Sequence, residues 1–243
     1  MLFVFIHFLF DCIAIIASVL ISIWFRHHYH LTKPPGIQHT SQQHYYLLSL
    51  MLGLMLGSFL FGTANVYLSG KTGIAKSMLG GIAGAIFAAE IFKKANGIQQ
   101  STGLYFIPGL AMLIAIGRIG CFLAGLEDFT YGIPSNLPWA VDFGDGIQRH
   151  PVQLYETLTV SLFLIVFFGS YEKHTVFWQN QGFYLFIFIY ASQRFLWEFL
   201  KPYASLGSSH LNLFQWLCLA LMLYAGWMLH NTFTRTHHHA THQ

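Results

Sequence analysis

Residues 2–25 read LFVFIHFLFDCIAIIASVLISIWF, an apolar stretch whose polar side chains are limited to His7, Asp11 and two serines. A helix rises about 1.5 Å per residue, so about 20 such residues cross a hydrocarbon core of roughly 30 Å. The stretch reads as a membrane span, and the same window can be laid on the rest of the chain six more times. The candidate spans are Leu2 to Phe25, Tyr45 to Val66, Ser77 to Phe92, Leu104 to Phe122, Val152 to Gly169, Gly182 to Phe199 and Leu211 to Leu229. The expected architecture is all-α: a polytopic membrane helix bundle of about seven spans, forming one integral domain over residues 1–243. No basic leader precedes the first span and no small-residue cleavage site follows it, so it is expected to stay in place.

Composition agrees with this reading. Hydrophobic residues make up 55% of the chain and charged residues 9%, against about a quarter charged in soluble domains. Nine acids and twelve bases are too few to clothe a soluble globule of this size, yet they suffice for short loops. A net charge of +3 gives no basis for a nucleic-acid partner. Cys12, Cys121 and Cys218 lie far apart and form neither a disulfide framework nor a zinc pattern. The segment Arg26 to His44 is rich in histidine, as is the tail with His237, His238, His239 and His242. Carboxylate and cysteine ligands do not accompany them, so a solvated loop and tail are preferred and no metal ligand is assigned.

Lysine and arginine outside the spans set orientation. One side carries Arg26, Lys33, Lys93, Lys94, Lys173 and Arg235; the other carries Lys71, Lys76, Arg149 and Lys201. The excess of six over four places the C-terminus in the cytoplasm and the N-terminus outside. The connection from Leu123 to Pro151 then faces outward, and its glycines, prolines, aromatic residues and acids mark 123–151 as the loop where chemistry is expected. Gly53 with Gly57, and Gly80, Gly81 and Gly84 with Ala85, form small-residue stripes that permit close helix approach.

Ionisable side chains inside spans are costly and point to function. Arg118 and Arg194 fall in the outer halves of the fourth and sixth spans, Glu156 just inside the fifth, Glu198 one turn beyond Arg194, and His7 with Asp11 in the first. Two readings stand side by side. Glutamates 156 and 198 could pair with the arginines and tie the bundle together, or two guanidinium groups could receive a phosphate with their planar donors. Cys121 beside Arg118 could act as a nucleophile; the sequence marks no base partner for it, and a packed cysteine is the simpler reading.

The order of local motifs favours the anion site. Arg118-Ile119-Gly120-Cys121-Phe122 is followed by Tyr131-Gly132, Pro138-Trp139 and Arg149-His150-Pro151-Val152-Gln153-Leu154-Tyr155-Glu156, then by Arg194-Phe195, Glu198-Phe199 and Gln215-Trp216. From Ser77 to Trp216 this order resembles the prolipoprotein diacylglyceryl transferase family. The resemblance implies a bacterial plasma-membrane enzyme that moves the diacylglyceryl group of phosphatidylglycerol onto the lipobox cysteine thiol of a prolipoprotein signal peptide, without cofactor. It implies a phospholipid contact at Arg118, with Gly120, Gln153, Tyr155 and Glu156 on the substrate side, and an essential catalytic arginine at Arg194. The pattern departs at Leu79, where the family usually has the histidine of a His-Gly-Gly element, and at Cys121, where the turn usually ends in asparagine. With Leu79 unable to take a proton, His150 is the expected base ahead of Glu127, since imidazole titrates nearest to neutral pH. His150 could equally cap the fifth span. An enzyme with another acceptor and a non-catalytic phospholipid-binding protein are the alternatives.

Overall fold

A computed structural model describes residues 2–37, 39–206, 208 and 210–240. Seven α-helices run through the described residues: α1 Leu2–His28, α2 Thr40–Leu68, α3 Met78–Ala95, α4 Ile107–Ala124, α5 Val152–Tyr171, α6 Thr175–Glu198 and α7 Leu213–Ala240. Each contains most or all of one expected span. Five of the helical segments are long and apolar enough to cross a membrane; α3 and α6 fall below that mark. In α3 the cause is the three charged residues Glu90, Lys93 and Lys94 within its 18 residues. In α6 it is the polar run Gln179-Asn180-Gln181, which also hid the true start of the helix seven residues before Gly182. The histidine-rich tail continues α7 through His237, His238 and His239; His242 lies outside the described residues.

The bundle is apolar outside and partly ionic inside. Phe8, Ile16, Leu20 and Ile23 of α1, and Met51, Leu56 and Leu60 of α2, are exposed, as a helix facing lipid requires. The two glycine stripes meet. A Cβ on Gly57 would lie 2.3 Å from the Gly80 carbonyl, and one on Gly84 2.1 Å from that of Gly53, so α2 and α3 touch backbone to backbone. The α1–α4 pair uses Gly120 the same way, since a Cβ there would lie 2.5 Å from that of Phe10. Leu79 is 1% exposed and belongs to the main apolar core with Ile82, Ile107 and Ile114.

The 123–151 connection has more order than its composition suggested. Gly125–Asp128 forms a 3-10 turn, and β1 Val141–Asp142 pairs antiparallel with β2 Gln148–Arg149. Asp142 Oδ1 accepts from the backbone N–H groups of Gly144, Asp145 and Gly146, closing the hairpin around two positive-φ glycines. The loop is fastened to the chain after α6, where the Ile133 N–H donates to the Leu200 carbonyl at 2.7 Å and the Tyr203 hydroxyl to that of Phe129 at 3.0 Å.

Candidate functional site

The end of α4, the start of α5 and the end of α6 converge beneath this loop. Glu156, wholly buried, lies at the centre. Its Oε2 is 2.7 Å from Arg118 Nε, and its Oε1 receives Arg194 Nη1 together with Lys201 Nζ, the latter at 2.7 Å. Arg194 Nη2 also reaches Glu198 Oε1 at 2.7 Å, as their one-turn spacing allows, and Lys201 bonds the same oxygen at 3.2 Å. Asn212 completes the set by donating to Glu198 Oε2 at 3.1 Å. Asn212 and Gln215 cap α7 reciprocally, each side-chain oxygen accepting the other's backbone N–H at 2.9 Å. Burial, ahead of repulsion from Arg194, holds the Lys201 ammonium below the ordinary lysine range, against the pull of the two carboxylates.

The pairing reading of the sequence is thus present: Glu156 does join Arg118 to Arg194. Among the described residues, three cations nevertheless pair with two carboxylates in this buried cluster, one positive charge in excess. Among the described residues, buried side-chain atoms without a hydrogen-bond partner include the donors Arg194 Nε, Gln193 Nε2 and Gln215 Nε2 and the acceptors Glu156 Oε2, Gln193 Oε1 and Gln153 Oε1. An excess of fixed cationic donors in a buried site is what an anionic oxygen group requires.

Of the other expected residues, Gln153 is fully buried and donates to the Thr130 hydroxyl at 3.4 Å. Gly120 has a packing reason for its identity. Tyr155 and His150 form a separate group: the Tyr155 hydroxyl accepts from Trp139 Nε1 at 2.8 Å and lies 3.4 Å from His150 Nδ1. The His150 backbone pairs with Gly132 and Ile133, and its ring touches neither arginine nor Glu156 among the described residues. Its backbone bonds fasten the loop, with the Gly132 N–H donating to the His150 carbonyl at 3.2 Å. Glu127 is exposed on the 3-10 turn, and no ion pair among the described residues includes it. Arg149, counted above as a free loop charge, is buried and bonds both carboxylate oxygens of Asp145 at 2.6 and 2.7 Å. That bond holds Asp145 below the ordinary carboxylate range and raises Arg149 above the usual guanidinium value.

Sequence reasoning missed two things. Lys201, taken for an outer-loop cation, is turned inward; its spacing of three from Glu198 was the available signal. The second is a group on α1. His7 Nδ1 lies 3.1 Å from Asp11 Oδ2, and His7 Nε2 lies 3.1 Å from Asp128 Oδ1 and 3.7 Å from Cys121 Sγ. Arg118 Nη1 reaches the same sulfur at 3.8 Å, so the two groups share a border. A largely apolar cavity of about 310 Å3, lined in part by Glu90 and Lys93, opens elsewhere, away from both the Glu156 and the His7 groups.

Fold and site together define a multi-pass membrane protein with a buried cationic site at one end of its bundle. The chain belongs to the prolipoprotein diacylglyceryl transferase family, whose model matches residues 9–230. It is 34% identical over 199 residues to the phosphatidylglycerol–prolipoprotein diacylglyceryl transferase of Methylobacillus flagellatus, covering 76% of this chain and 74% of the relative. Identity to the enzymes of that name is 32% over 207 residues for Polynucleobacter asymbioticus (78% and 76% covered) and 33% over 195 residues for Bordetella avium (74% and 71%). No solved structure matches the chain at a significant level.

Proposed function

We propose that this chain transfers the diacylglyceryl group of phosphatidylglycerol to the lipobox cysteine thiol of a prolipoprotein, releasing glycerol phosphate. The observation that carries the reading is the excess positive charge of the buried Arg118, Arg194 and Lys201 cluster over its two glutamates. Fixed donors of this kind stabilise the charge that develops on a phosphate ester as it leaves. Arg118 and Arg194 hold the phosphate, Arg194 as the catalytic member, and Glu156 positions both. Gln153, Tyr155 and Gly120 shape the substrate side, with His150 and Trp139 at the rim. The chain acts as one membrane domain in the bacterial plasma membrane, N-terminus outside and C-terminus cytoplasmic, with the 123–151 loop toward the outer face. Leaving the buried Lys93, Arg149 and Lys201 out of the charge count gives five cations against two, in support of that orientation.

A second reading, transfer to a different acceptor or lipid binding alone, draws on Leu79, which sits in apolar core where the family usually has a histidine. The test incubates purified protein with labelled phosphatidylglycerol and a lipobox peptide. Thioether product from the wild type, and its loss in Arg118→Ala and Arg194→Ala, is expected. Lipid binding without product would select the second reading, and wild-type lipid binding by both variants would leave the arginines a purely structural role.

A further inference from the structure

We propose that His7 is a positioning residue for the phosphate site: its imidazolium holds the Asp128 carboxylate against α1 and so keeps Arg118 open to the phosphate of the lipid. The inference rests on the reading of Arg118 as a phospholipid contact and adds a residue which that reading does not include. His7 Nδ1 lies 3.1 Å from Asp11 Oδ2, and its Nε2 lies 3.1 Å from Asp128 Oδ1. A neutral imidazole carries one N–H and would turn a bare lone pair toward one of these oxygens, whereas the imidazolium donates to both. The sandwich between two carboxylates therefore fixes His7 as a cation. Three elements meet in it: α1, the end of α4 and the turn that follows α4. Gly120 makes the meeting possible, because a Cβ there would lie 2.5 Å from that of Phe10, one turn along α1 from His7.

The balance of charge gives this arrangement its purpose. Among the described residues Arg118 has one ion-pair partner, Glu156, 2.7 Å from its Nε, while its Nη1 faces Cys121 Sγ, a weak acceptor, at 3.8 Å. The same sulfur lies 3.7 Å from His7 Nε2, so a single atom separates the two cations. Asp128 lies within electrostatic reach of Arg118 as well as of His7. Both its oxygens are engaged away from Arg118: Oδ1 by His7, and Oδ2 by the Thr130 hydroxyl, to which Gln153 donates at 3.4 Å. With a neutral side chain at position 7, Asp128 would be a carboxylate only 16% exposed and without a counterion, a costly state that a turn toward Arg118 relieves. That turn would give the Arg118, Arg194 and Lys201 cluster a third carboxylate, cancel its excess charge and place a protein oxygen where the phosphate oxygen belongs. Asp11, with 52% of its side chain exposed, is the outer clamp on His7 and stays in contact with water.

A lipid that must displace an internal carboxylate binds more weakly in proportion to the fraction of molecules in which Arg118 is open, while turnover of the bound complex is untouched. Loss of the charge on His7 therefore falls on KM for phosphatidylglycerol rather than on kcat. Its scale is that of one charge-assisted hydrogen bond, about 10- to 100-fold. A histidine that served only to pack α1 against α4 would instead reduce the folded, active fraction, and with it kcat.

The test uses the full chain in detergent with labelled phosphatidylglycerol and a lipobox peptide. It reads KM and kcat for transfer, alongside direct binding of the labelled lipid to monodisperse protein. His7→Gln should raise KM and Kd together, about 10- to 100-fold, with little change in kcat. Adding Asp128→Asn removes the competing carboxylate and should recover most of that loss, and His7→Lys, which keeps a cation at the position, should lose less than His7→Gln. Wild-type lipid binding by His7→Gln overturns the proposal, as does a fall in kcat at constant KM or a double variant no better than the single one. Where His7→Gln alone does not fold, the double variant is read against the wild type, and weak lipid binding by it overturns the proposal. Thioether product from the wild type with unchanged constants in His7→Gln overturns the role of His7 and leaves the transferase reading intact. The expected pattern of lipid binding without any thioether product overturns the transferase reading and leaves His7 in its role.

Discussion

One face of α5 changes chemistry along its length. Its buried residues recur at helical spacing, from Gln153 and Glu156 through Val160, Phe163 and Leu164 to Phe167 and Tyr171. At the first end Glu156 meets three cations. At the second, Phe167 packs 4.9 Å from the Trp178 ring and 5.4 Å from that of Phe25, and Phe25 lies 5.1 Å from Tyr171. Both ends are equally buried, so burial alone does not distinguish a functional site from a core. The difference lies in charge: the aromatic end carries none, its one polar group being the Tyr171 hydroxyl, while the ionic end holds an excess cation.

The sharpest way to break this contrast is to remove its centre from each end in turn. Glu156→Ala should abolish transfer, and it leaves three cations with one carboxylate, a loss of partner that costs about 3–5 kcal/mol in buried pairs. Phe167→Ala should cost a similar 3–5 kcal/mol as a large-to-small core change, yet product per folded molecule should stay near wild type. Thermal unfolding and thioether yield, measured on the same preparations, decide it; equal losses of specific activity would erase the distinction.

Arg118→Lys is the next largest effect. Lysine keeps the charge and forfeits the planar fork, so turnover should fall about 10²- to 10³-fold, the scale for losing one fixed donor to a developing oxyanion. Full activity in the variant would mean that a point charge suffices.

Leu79→His examines the apolar side. A histidine there enters the core as an unpartnered polar group, at a cost of about 1–3 kcal/mol. No gain in turnover is expected if another group takes the thiol proton, and a large gain would move that chemistry to α3.

The smallest effect concerns the exposed hairpin. The bond to Arg149 holds the Asp145 carboxyl below its unfolded value of about 3.9. The stabilisation is therefore fully present above that pH and is lost as pH falls through the lower folded value. Proteolysis of the 141–149 hairpin should accelerate only on acidification below about pH 4 in the wild type, and at neutral pH already in Asp145→Asn.

Much of this was legible before any coordinates. Seven spans followed from apolar windows, and Arg118, Glu156, Arg194 and Glu198 stood out because charge inside a span is rare. The glycine stripes of α2 and α3 were visible, though not that they face each other. The start of α6 was hidden because Gln179-Asn180-Gln181 dilutes the window while the helix is held by packing of Trp178 and Tyr184. Lys201 was misread because a cation three residues past a span looks like a loop charge until the chain folds back over it. The His7 group could not be seen as a group: Cys121 stands 114 residues from His7, and only the pair of His7 and Asp11, one turn apart, was local.

The order of charges along the chain has a bearing on how the protein is made. Read from the N-terminus, the members of the buried cluster are Arg118, Glu156, Arg194, Glu198 and Lys201, and their signs alternate. Glu156 follows Arg118 by the same 38 residues that separate it from Arg194. A chain threaded into the bilayer during synthesis therefore never carries more than one uncompensated charge from this set. Each newly inserted segment brings the counterion for the last, and the final excess cation appears only when the site is assembled around it.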